Sequence, residues 1–89
     1  MMSRETTIVN KLGLHARAAT RLVNCASAFE SEVWIVKGEK RINGKSIMGV
    51  LTLAAGKGAN LVIETVGADE EPAIESLLKL IEERFGEDE

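Results

Sequence analysis

The sequence predicts an α+β fold in which one β-sheet has one face covered by amphipathic helices, with the elements in the order β-α-β-β-α-β-α. Three observations lead to this prediction. β-branched runs alternate with segments of helical periodicity along the 89 residues. Hydrophobic residues make up 45% of the chain and aromatic residues 3%, which predicts an aliphatic core. The strands are too few, and too often joined by short turns, for a doubly wound parallel sheet. We expect one domain over residues 1–89.

The first strand and the first helix follow from the opening residues. Thr6–Val9 is short and β-branched, as strands are, and Asn10–Gly13 breaks it. A helix is predicted from Ala16 to about Ala28, because apolar residues recur on one of its faces. That face is formed by residues at i, i+3, i+4 and i+7: Ala19, Leu22, Val23 and Ala26.

A hairpin and a short helix are predicted in the middle of the chain. Glu32–Lys37 and Lys40–Asn43 have strand character, and the two residues between them predict a tight turn. Ser46 can cap a helix by accepting a backbone N–H bond. Residues 46–53 are apolar enough for a strand, but we prefer a helix that extends through Ala54 and Ala55 and ends at Gly56. This helix leaves Met48 off its buried stripe.

The last third of the chain predicts a strand followed by a helix. Asn60–Val66 is the clearest strand in the sequence. Asp69 is a candidate N-cap for the helix, with acidic residues and Pro72 in the first turn. Its buried stripe is predicted to contain Ile74, Leu77, Leu78, Ile81 and Phe85. Gly86–Glu89 is expected to be a frayed acidic tail.

Composition excludes several classes of function. A net charge of −3, with one Trp, two Phe and no Tyr, lacks the basic field and the stacking platforms of a nucleic-acid binder. Cys25 is alone, so no intrachain disulfide forms, which favours a reducing compartment. No signal peptide and no apolar run of membrane-spanning length is present. We therefore expect a soluble cytoplasmic protein without membrane insertion.

His15 is the strongest candidate for chemistry, because it is the sole histidine and lies where a loop meets the start of the first helix. Imidazole titrates near neutral pH, so one ring nitrogen is free to attack phosphorus. The unpaired N–H groups of a helix N-terminus form a ready site for the anion that results. Arg17 can place a guanidinium beside the same group. Gly13 permits the unusual backbone that exposing His15 needs.

The chemistry of these residues leaves plainer interpretations open. His15 can be a polar helix cap and Arg17 a solvated surface charge, and by residue type alone these roles are the more common. Ser46 can be phosphorylated at a helix N-terminus, or it can be only an N-cap, which physical reasoning alone favours. Residues 44–46 resemble the end of a phosphate-binding loop, but the pattern requires glycine where the chain has Glu39. One histidine and one cysteine argue against a metal site.

Two separated motifs resemble the HPr family, the histidine-containing phosphocarriers of the bacterial phosphoenolpyruvate-dependent phosphotransferase system, and its paralogues in the nitrogen-regulatory branch. One motif is GLHAR at residues 13–17, and the other is NGKSIMGV at residues 43–50. Both motifs at this separation, in a chain of this length, make the resemblance specific. It covers essentially the whole chain.

The resemblance implies both a fold and a function. The fold would be an open-faced β-sandwich, a four-stranded antiparallel sheet with three helices on one side. Enzyme I, phosphorylated from phosphoenolpyruvate, would pass its phosphoryl group to Nδ1 of His15, where Arg17 faces the phosphate. His15 would then pass it to a IIA-class protein. Ser46 corresponds to a regulatory phosphorylation site in many members. The surface that docks partners would contain Ala16, Thr20, Ile47, Met48 and Leu51.

Three hypotheses of function follow. The leading one is a monomeric phosphocarrier in sugar uptake or its regulatory counterpart, a phosphorylated protein intermediate rather than a self-contained enzyme, with no cofactor. The second is a regulatory docking protein controlled by phosphorylation of Ser46, which requires a serine kinase/phosphorylase. The third is a small-ligand-binding domain, which a His15 buried and hydrogen-bonded on both nitrogens would favour.

One position departs from the family pattern. Many members have proline directly after the arginine, where this chain has Ala18. Proline at that position pre-sets the first helical turn. Alanine is a good helix former, so we expect the helix to survive the substitution.

Overall fold

The computed structural model describes residues 1–89 as one four-stranded antiparallel sheet with three α-helices on one of its faces. The elements follow the predicted order β-α-β-β-α-β-α, so the predicted open-faced sandwich is confirmed. The strands are β1 (Met2–Thr7), β2 (Glu32–Lys37), β3 (Lys40–Asn43) and β4 (Asn60–Val66). The helices are α1 (Ala16–Ser27), α2 (Ile47–Thr52) and α3 (Glu70–Glu82), and a short 3-10 turn follows at Arg84–Gly86.

Strand β4 is central to the sheet, which has the order β1-β4-β2-β3. Its pairing with β1 sets Thr65 opposite Met2, and its pairing with β2 sets Ile63 opposite Ile35. Because side chains alternate between the two faces of a strand, Leu61, Ile63 and Thr65 all lie on the helix-covered face and are buried. The sheet therefore has one apolar face, which the helices cover.

The core lies between this face and the helices, and it is aliphatic as predicted. It joins 18 buried residues, of which Phe85 is the only aromatic one. Helix α1 buries the predicted face of Ala19, Leu22, Val23 and Ala26, together with Ala18. Ala18 is fully buried within α1, so the helix forms with alanine at this position, as expected. None of the helices combines the length and apolar character needed to cross a bilayer.

Two predicted elements, β1 and α2, had wrong bounds. Strand β1 begins and ends earlier than Thr6–Val9, because the ladder with β4 covers only Met2–Thr7. Ile8 leaves the ladder and is fully buried in the core, while Val9 is 40% exposed. Helix α2 ends at Thr52, before Ala54 and Ala55, since Ala54 has the left-handed φ of 49°. This turn frees the Ala55 carbonyl, which accepts a hydrogen bond from the Leu14 N–H at 2.8 Å.

The end of α3 also differs from the predicted stripe. Ile74, Leu77 and Ile81 are buried on α3 as predicted, but Leu78 is only half-buried. Phe85 is buried yet lies outside the helix, in a turn where its φ is 55°. Helical periodicity therefore identified Phe85 correctly as a core residue but wrongly predicted a helical backbone conformation for it.

The predicted N-cap of α3 has a different role. The Asp69 carboxylate makes no hydrogen bond to α3. It accepts instead from the backbone N–H groups of Glu30 and Ser31, both at 2.9 Å, and from the Ser31 hydroxyl. These bonds hold the pKa of Asp69 below its ordinary value, with the Ser31 hydroxyl as the largest cause. Asp69 therefore ties the start of α3 to the loop after α1.

Candidate functional site

His15 is the N-cap residue of α1. Its backbone is extended, with φ −76° and ψ 179°, and its Nδ1 atom accepts a long hydrogen bond of 3.3 Å from the Arg17 N–H. The His15 side chain is 28% exposed, so the ring is accessible. Nδ1 therefore lies against the first turn of a 12-residue helix, where backbone N–H groups have no carbonyl partners within the helix.

The loop before α1 positions His15 through its backbone. Gly13 has a φ of 67°, a conformation that glycine adopts without strain. The following residue, Leu14, is buried and bonds to the Ala55 carbonyl. The predicted role of Gly13 is thus backed by its geometry, because the turn it makes directs Leu14 inward and His15 to the start of α1.

The other ring nitrogen of His15 is held by the C-terminal segment. Nε2 is hydrogen-bonded to one carboxylate oxygen of Glu87, whose side chain is 11% exposed. The second oxygen accepts from Nδ2 of the buried Asn10 at 2.9 Å. The same Asn10 amide donates to the Gly13 carbonyl at 2.9 Å. Asn10 therefore links the loop before His15 to the carboxylate that contacts its ring.

Glu87 is ionised at neutral pH. Its pKa is lowered mainly by the hydrogen bond from Asn10 and further by the hydrogen bond from His15 and the positive charge of Arg17. Desolvation opposes these effects but does not outweigh them. The site thus contains a carboxylate beside the imidazole, which sequence reasoning missed.

The prediction that Gly86–Glu89 is a frayed tail was wrong. The Arg21 guanidinium donates to the Phe85 carbonyl, and the Lys11 N–H donates to the Glu89 carbonyl at 2.5 Å. Lys11 also pairs with the Glu89 carboxylate at 3.3 Å. No sequence signal distinguishes Glu87 from its acidic neighbours, because the contact with His15 spans 72 positions of the chain.

The remaining predicted residues lie on α1 and α2, which pack against each other. Arg17 is exposed and its guanidinium makes no hydrogen bond or ion pair within the chain. Ala16 and Thr20 are exposed on α1, where the Thr20 hydroxyl donates to the Ala16 carbonyl at 2.8 Å. The three side chains are therefore exposed to solvent on α1.

Helix α2 carries Ser46 and the other predicted docking residues. Ser46 is its N-cap, and the half-buried hydroxyl accepts from the Gly49 N–H at 3.1 Å. Ile47 is 42% exposed, Met48 is 71% exposed, and Leu51 is half-buried. No hydrogen bond links Ser46 to His15 or Arg17. The histidine and the serine are therefore at the starts of two neighbouring helices rather than in one hydrogen-bonded site.

The surface depressions of the molecule do not include His15. The larger, of about 450 Å³, is lined by residues of β1, β2 and β4 and by Gly38. The smaller, of about 410 Å³, is lined by loop and C-terminal residues. The small-ligand hypothesis would be favoured by a His15 that is buried and hydrogen-bonded on both nitrogens. Both nitrogens are hydrogen-bonded, but the side chain is 28% exposed and lines neither depression. No group of three or more His, Cys, Asp or Glu side chains is arranged to hold a metal ion.

Comparison with known proteins adds independent information on the family. A family model described as the PTS HPr component phosphorylation site matches residues 2–83. The chain is 52% identical to the phosphocarrier protein HPr of Neisseria meningitidis, over the full length of both. It is 42% identical to the phosphocarrier protein NPr of Shewanella violacea, covering 97% of this chain and 94% of the relative.

Solved structures agree with the sequence relatives. The crystal structure of HPr-C-His from Thermoanaerobacter tengcongensis superimposes with a TM-score of 0.97 at 44% identity, covering 100% of both chains. An HPr dimer from the same organism has a TM-score of 0.79 at 45% identity, covering 98% of this chain and 100% of that one. Sequence and fold thus point to the same family.

Proposed function

The chain belongs to the HPr family of phosphocarrier proteins of the phosphotransferase system, and we propose that it carries the phosphoryl group on Nδ1 of His15. The observation that carries this proposal is the position of Nδ1 against the first turn of α1, in a ring that remains accessible. In this view the cap interpretation and the functional interpretation of His15 are compatible. The same N–H groups that the ring caps would receive the phosphate oxygens.

The transfer step makes use of this geometry. The Nδ1 lone pair attacks phosphorus and forms the N–P bond, while the bond from phosphorus to the donor breaks and its electron pair stays with the donor. The incoming phosphoryl group is anionic, and the positive end of the α1 dipole stabilises it. The unpaired Arg17 guanidinium is two residues away and can donate bidentate, charge-assisted hydrogen bonds to its oxygens. Transfer onward reverses these events.

Family membership implies phosphotransfer partners, and we propose the same two partners that the sequence motifs led us to expect. Phospho-enzyme I is the donor and a IIA-class protein is the acceptor, in sugar uptake or its regulatory counterpart. Their docking surface contains Ala16, Thr20, Ile47, Met48 and Leu51. Support for it comes from Ile47 and Met48, two consecutive large apolar side chains on α2 that are 42% and 71% exposed.

The experiment that tests His15 is phosphorylation by enzyme I and labelled phosphoenolpyruvate. We expect an acid-labile, alkali-stable phosphate on the native protein and none on His15→Ala. Ser46→Ala is the control and should label fully, because its hydroxyl takes no part in the step. Full labelling of His15→Ala would overturn the assignment.

A second proposal concerns Ser46, which we assign as a regulatory phosphorylation site. It is supported by the position of its hydroxyl at the N-cap of α2, directly before the exposed residues Ile47 and Met48. A phosphate there would add negative charge at the edge of the docking surface and alter partner binding. An ATP-dependent serine kinase should give an acid-stable phosphate that is lost in Ser46→Ala. Modification of another residue would refute the assignment.

We also propose that residues 1–89 act as one domain, as a monomer in the cytoplasm. The core supports a single domain because it joins residues of all three helices and the sheet. Light scattering should give a mass near 9.6 kDa, the mass of one chain. A mass twice as large would instead place this protein with the dimeric neighbour.

A further inference from the structure

We infer that Glu87 is a positioning residue for phosphoryl transfer, which holds the Nε2–H of His15 so that the Nδ1 lone pair faces the first turn of α1. The inference rests on the proposed role of His15. It adds a residue outside both family-like motifs, 72 positions from the histidine that it contacts.

The carboxylate of Glu87 is fixed by contacts to both of its oxygens. One oxygen is bonded to Nε2 of His15, and the other accepts from Nδ2 of Asn10 at 2.9 Å. Asn10 is fully buried, and its amide also donates to the Gly13 carbonyl. The carboxylate is therefore oriented by the loop that also sets the backbone of His15.

The segment that carries Glu87 is anchored on both sides. Before it, Phe85 is buried in the core and its carbonyl accepts from the Arg21 guanidinium. After it, Glu89 bonds to Lys11 through both its backbone carbonyl and its carboxylate. An acidic side chain held in this way has little freedom to leave the ring.

The two neighbours of the imidazole select the same tautomer. A carboxylate can only accept, so Glu87 requires a proton on Nε2. The Arg17 N–H can only donate, so it requires a lone pair on Nδ1. A neutral ring meets both demands only as the Nε2–H tautomer. The nucleophilic lone pair is thus placed on the nitrogen that faces the helix N-terminus.

Glu87 also supplies charge during the reaction. When Nδ1 forms its bond to phosphorus, Nε2 keeps its proton and the ring becomes a cation. The carboxylate beside Nε2 stabilises that cation, in the way that a buried aspartate stabilises the histidine of a serine protease. Arg17 is the other charged residue that acts on this site, and its guanidinium is left to face the phosphate.

Glu87→Gln is the sharpest test because it keeps the shape of the side chain but replaces the acceptor that faces Nε2 with a donor. Its amide oxygen can still accept from Asn10, which leaves the amide NH₂ facing Nε2. An NH₂ group donates, so Nε2 must accept and the ring proton moves to Nδ1. Asp88→Asn is the matched control, since it removes one negative charge from the same segment at a side chain that makes no hydrogen bond.

The test measures transfer from phospho-enzyme I together with the ¹⁵N shifts of the histidine ring. For Glu87→Gln we expect kcat to fall about ten- to a hundredfold, by analogy with the loss seen when the partner that orients a metal-ligating histidine is removed. KM should stay near its wild-type value, because the docking surface is untouched. The ¹⁵N spectrum should show the proton moved from Nε2 to Nδ1. Asp88→Asn should match the wild type in all three measurements.

The outcomes separate this inference from the proposed function. If native protein labels on His15 and Glu87→Gln labels with unchanged kcat and tautomer, the role of Glu87 is overturned while that of His15 stands. If kcat falls equally in Asp88→Asn, the effect is one of net charge and the inference also fails. If native protein takes no label on His15, the proposed function fails, and the ring spectrum still decides whether Glu87 sets the tautomer.

Discussion

Replacement of Gly13 by alanine tests how the loop before α1 holds His15. Gly13 has a φ of 67°, and a Cβ atom there would lie 2.5 Å from the Ala55 carbonyl oxygen and 2.7 Å from Gly56 Cα. Both neighbours are backbone atoms, so the chain must move to make room. Gly38 provides a matched control, because its φ is 60° but nothing lies within 4 Å of an added Cβ.

The two variants should differ in their loss of unfolding free energy only because the added Cβ is crowded at Gly13 and not at Gly38. A left-handed alanine costs about 1–2 kcal/mol at either site, and the reduced entropy of the unfolded chain returns roughly 0.4–1 kcal/mol. At Gly13 the clash adds about 1–3 kcal/mol of strain. Loss of the Leu14–Ala55 hydrogen bond adds about 1 kcal/mol more. We therefore expect losses of about 1 kcal/mol for Gly38→Ala and roughly 3–5 kcal/mol for Gly13→Ala.

Urea denaturation at neutral pH, followed by far-ultraviolet circular dichroism, measures both free energies of unfolding. In thermal melts, each kcal/mol corresponds to a fall in Tm of about 4–8 °C for a chain of this size. Equal losses for the two variants would refute the argument from crowding. Phosphorylation of Gly13→Ala, measured where it is folded, should also slow, because displacement of Leu14 moves the start of α1.

Three further predictions test other parts of the molecule. Asp69→Asn should lower the Tm at pH 7. Because the pKa of Asp69 is depressed in the folded state, the difference in Tm from the wild type should shrink as the pH falls below about 4. A difference in Tm that stays constant in melts from pH 7 to 3 would contradict this. Arg17→Lys should slow transfer from phospho-enzyme I about tenfold in stopped-flow assays, because an ammonium cannot bind phosphate bidentately; wild-type rates would exclude that contact. Met48→Glu should raise the KM for phospho-enzyme I about tenfold with kcat unchanged, and an unchanged KM would remove Met48 from the docking surface.

Local patterns were sufficient to predict most of the fold. The hairpin strands Glu32–Lys37 and Lys40–Asn43 have their predicted bounds, because a two-residue turn between β-like runs leaves little choice of register. The same holds for Asn60–Val66, whose alternation matches one buried face. In α1, helical periodicity identified the buried face correctly because that face of the helix is the one that packs into the core.

The errors arose where distant parts of the chain decide the local structure. Asp69 resembles an N-cap in sequence, but the Ser31 loop, 38 positions away, binds its carboxylate. Phe85 has the spacing of the helical stripe, but its side chain enters the core from a left-handed turn that follows α3. Ala54 continues an apolar helix in sequence. In the folded chain it adopts a left-handed φ instead, and the carbonyl of the next residue, Ala55, accepts a hydrogen bond from the Leu14 N–H. Periodicity contains no information on such contacts.

The candidate site divides in the same way. The position of His15 at the start of α1 was predicted from the Gly13 turn and the helical pattern that follows, both of which are local. Asn10 and Glu87 were not predicted as its partners, because an asparagine in a turn and a glutamate in an acidic tail are ordinary surface residues by sequence. Only the folded chain brings them to the imidazole.

The central claim is that Nδ1 of His15 accepts the phosphoryl group, and one spectrum tests it most directly. Protein labelled with ¹⁵N in its single histidine is phosphorylated with enzyme I and phosphoenolpyruvate, and long-range proton–nitrogen correlation is recorded with ³¹P coupling. We predict a phosphorus–nitrogen coupling at Nδ1, with the proton retained on Nε2 beside Glu87. A coupling at Nε2, or a phosphorylated protein with no coupling to the ring, would contradict the account.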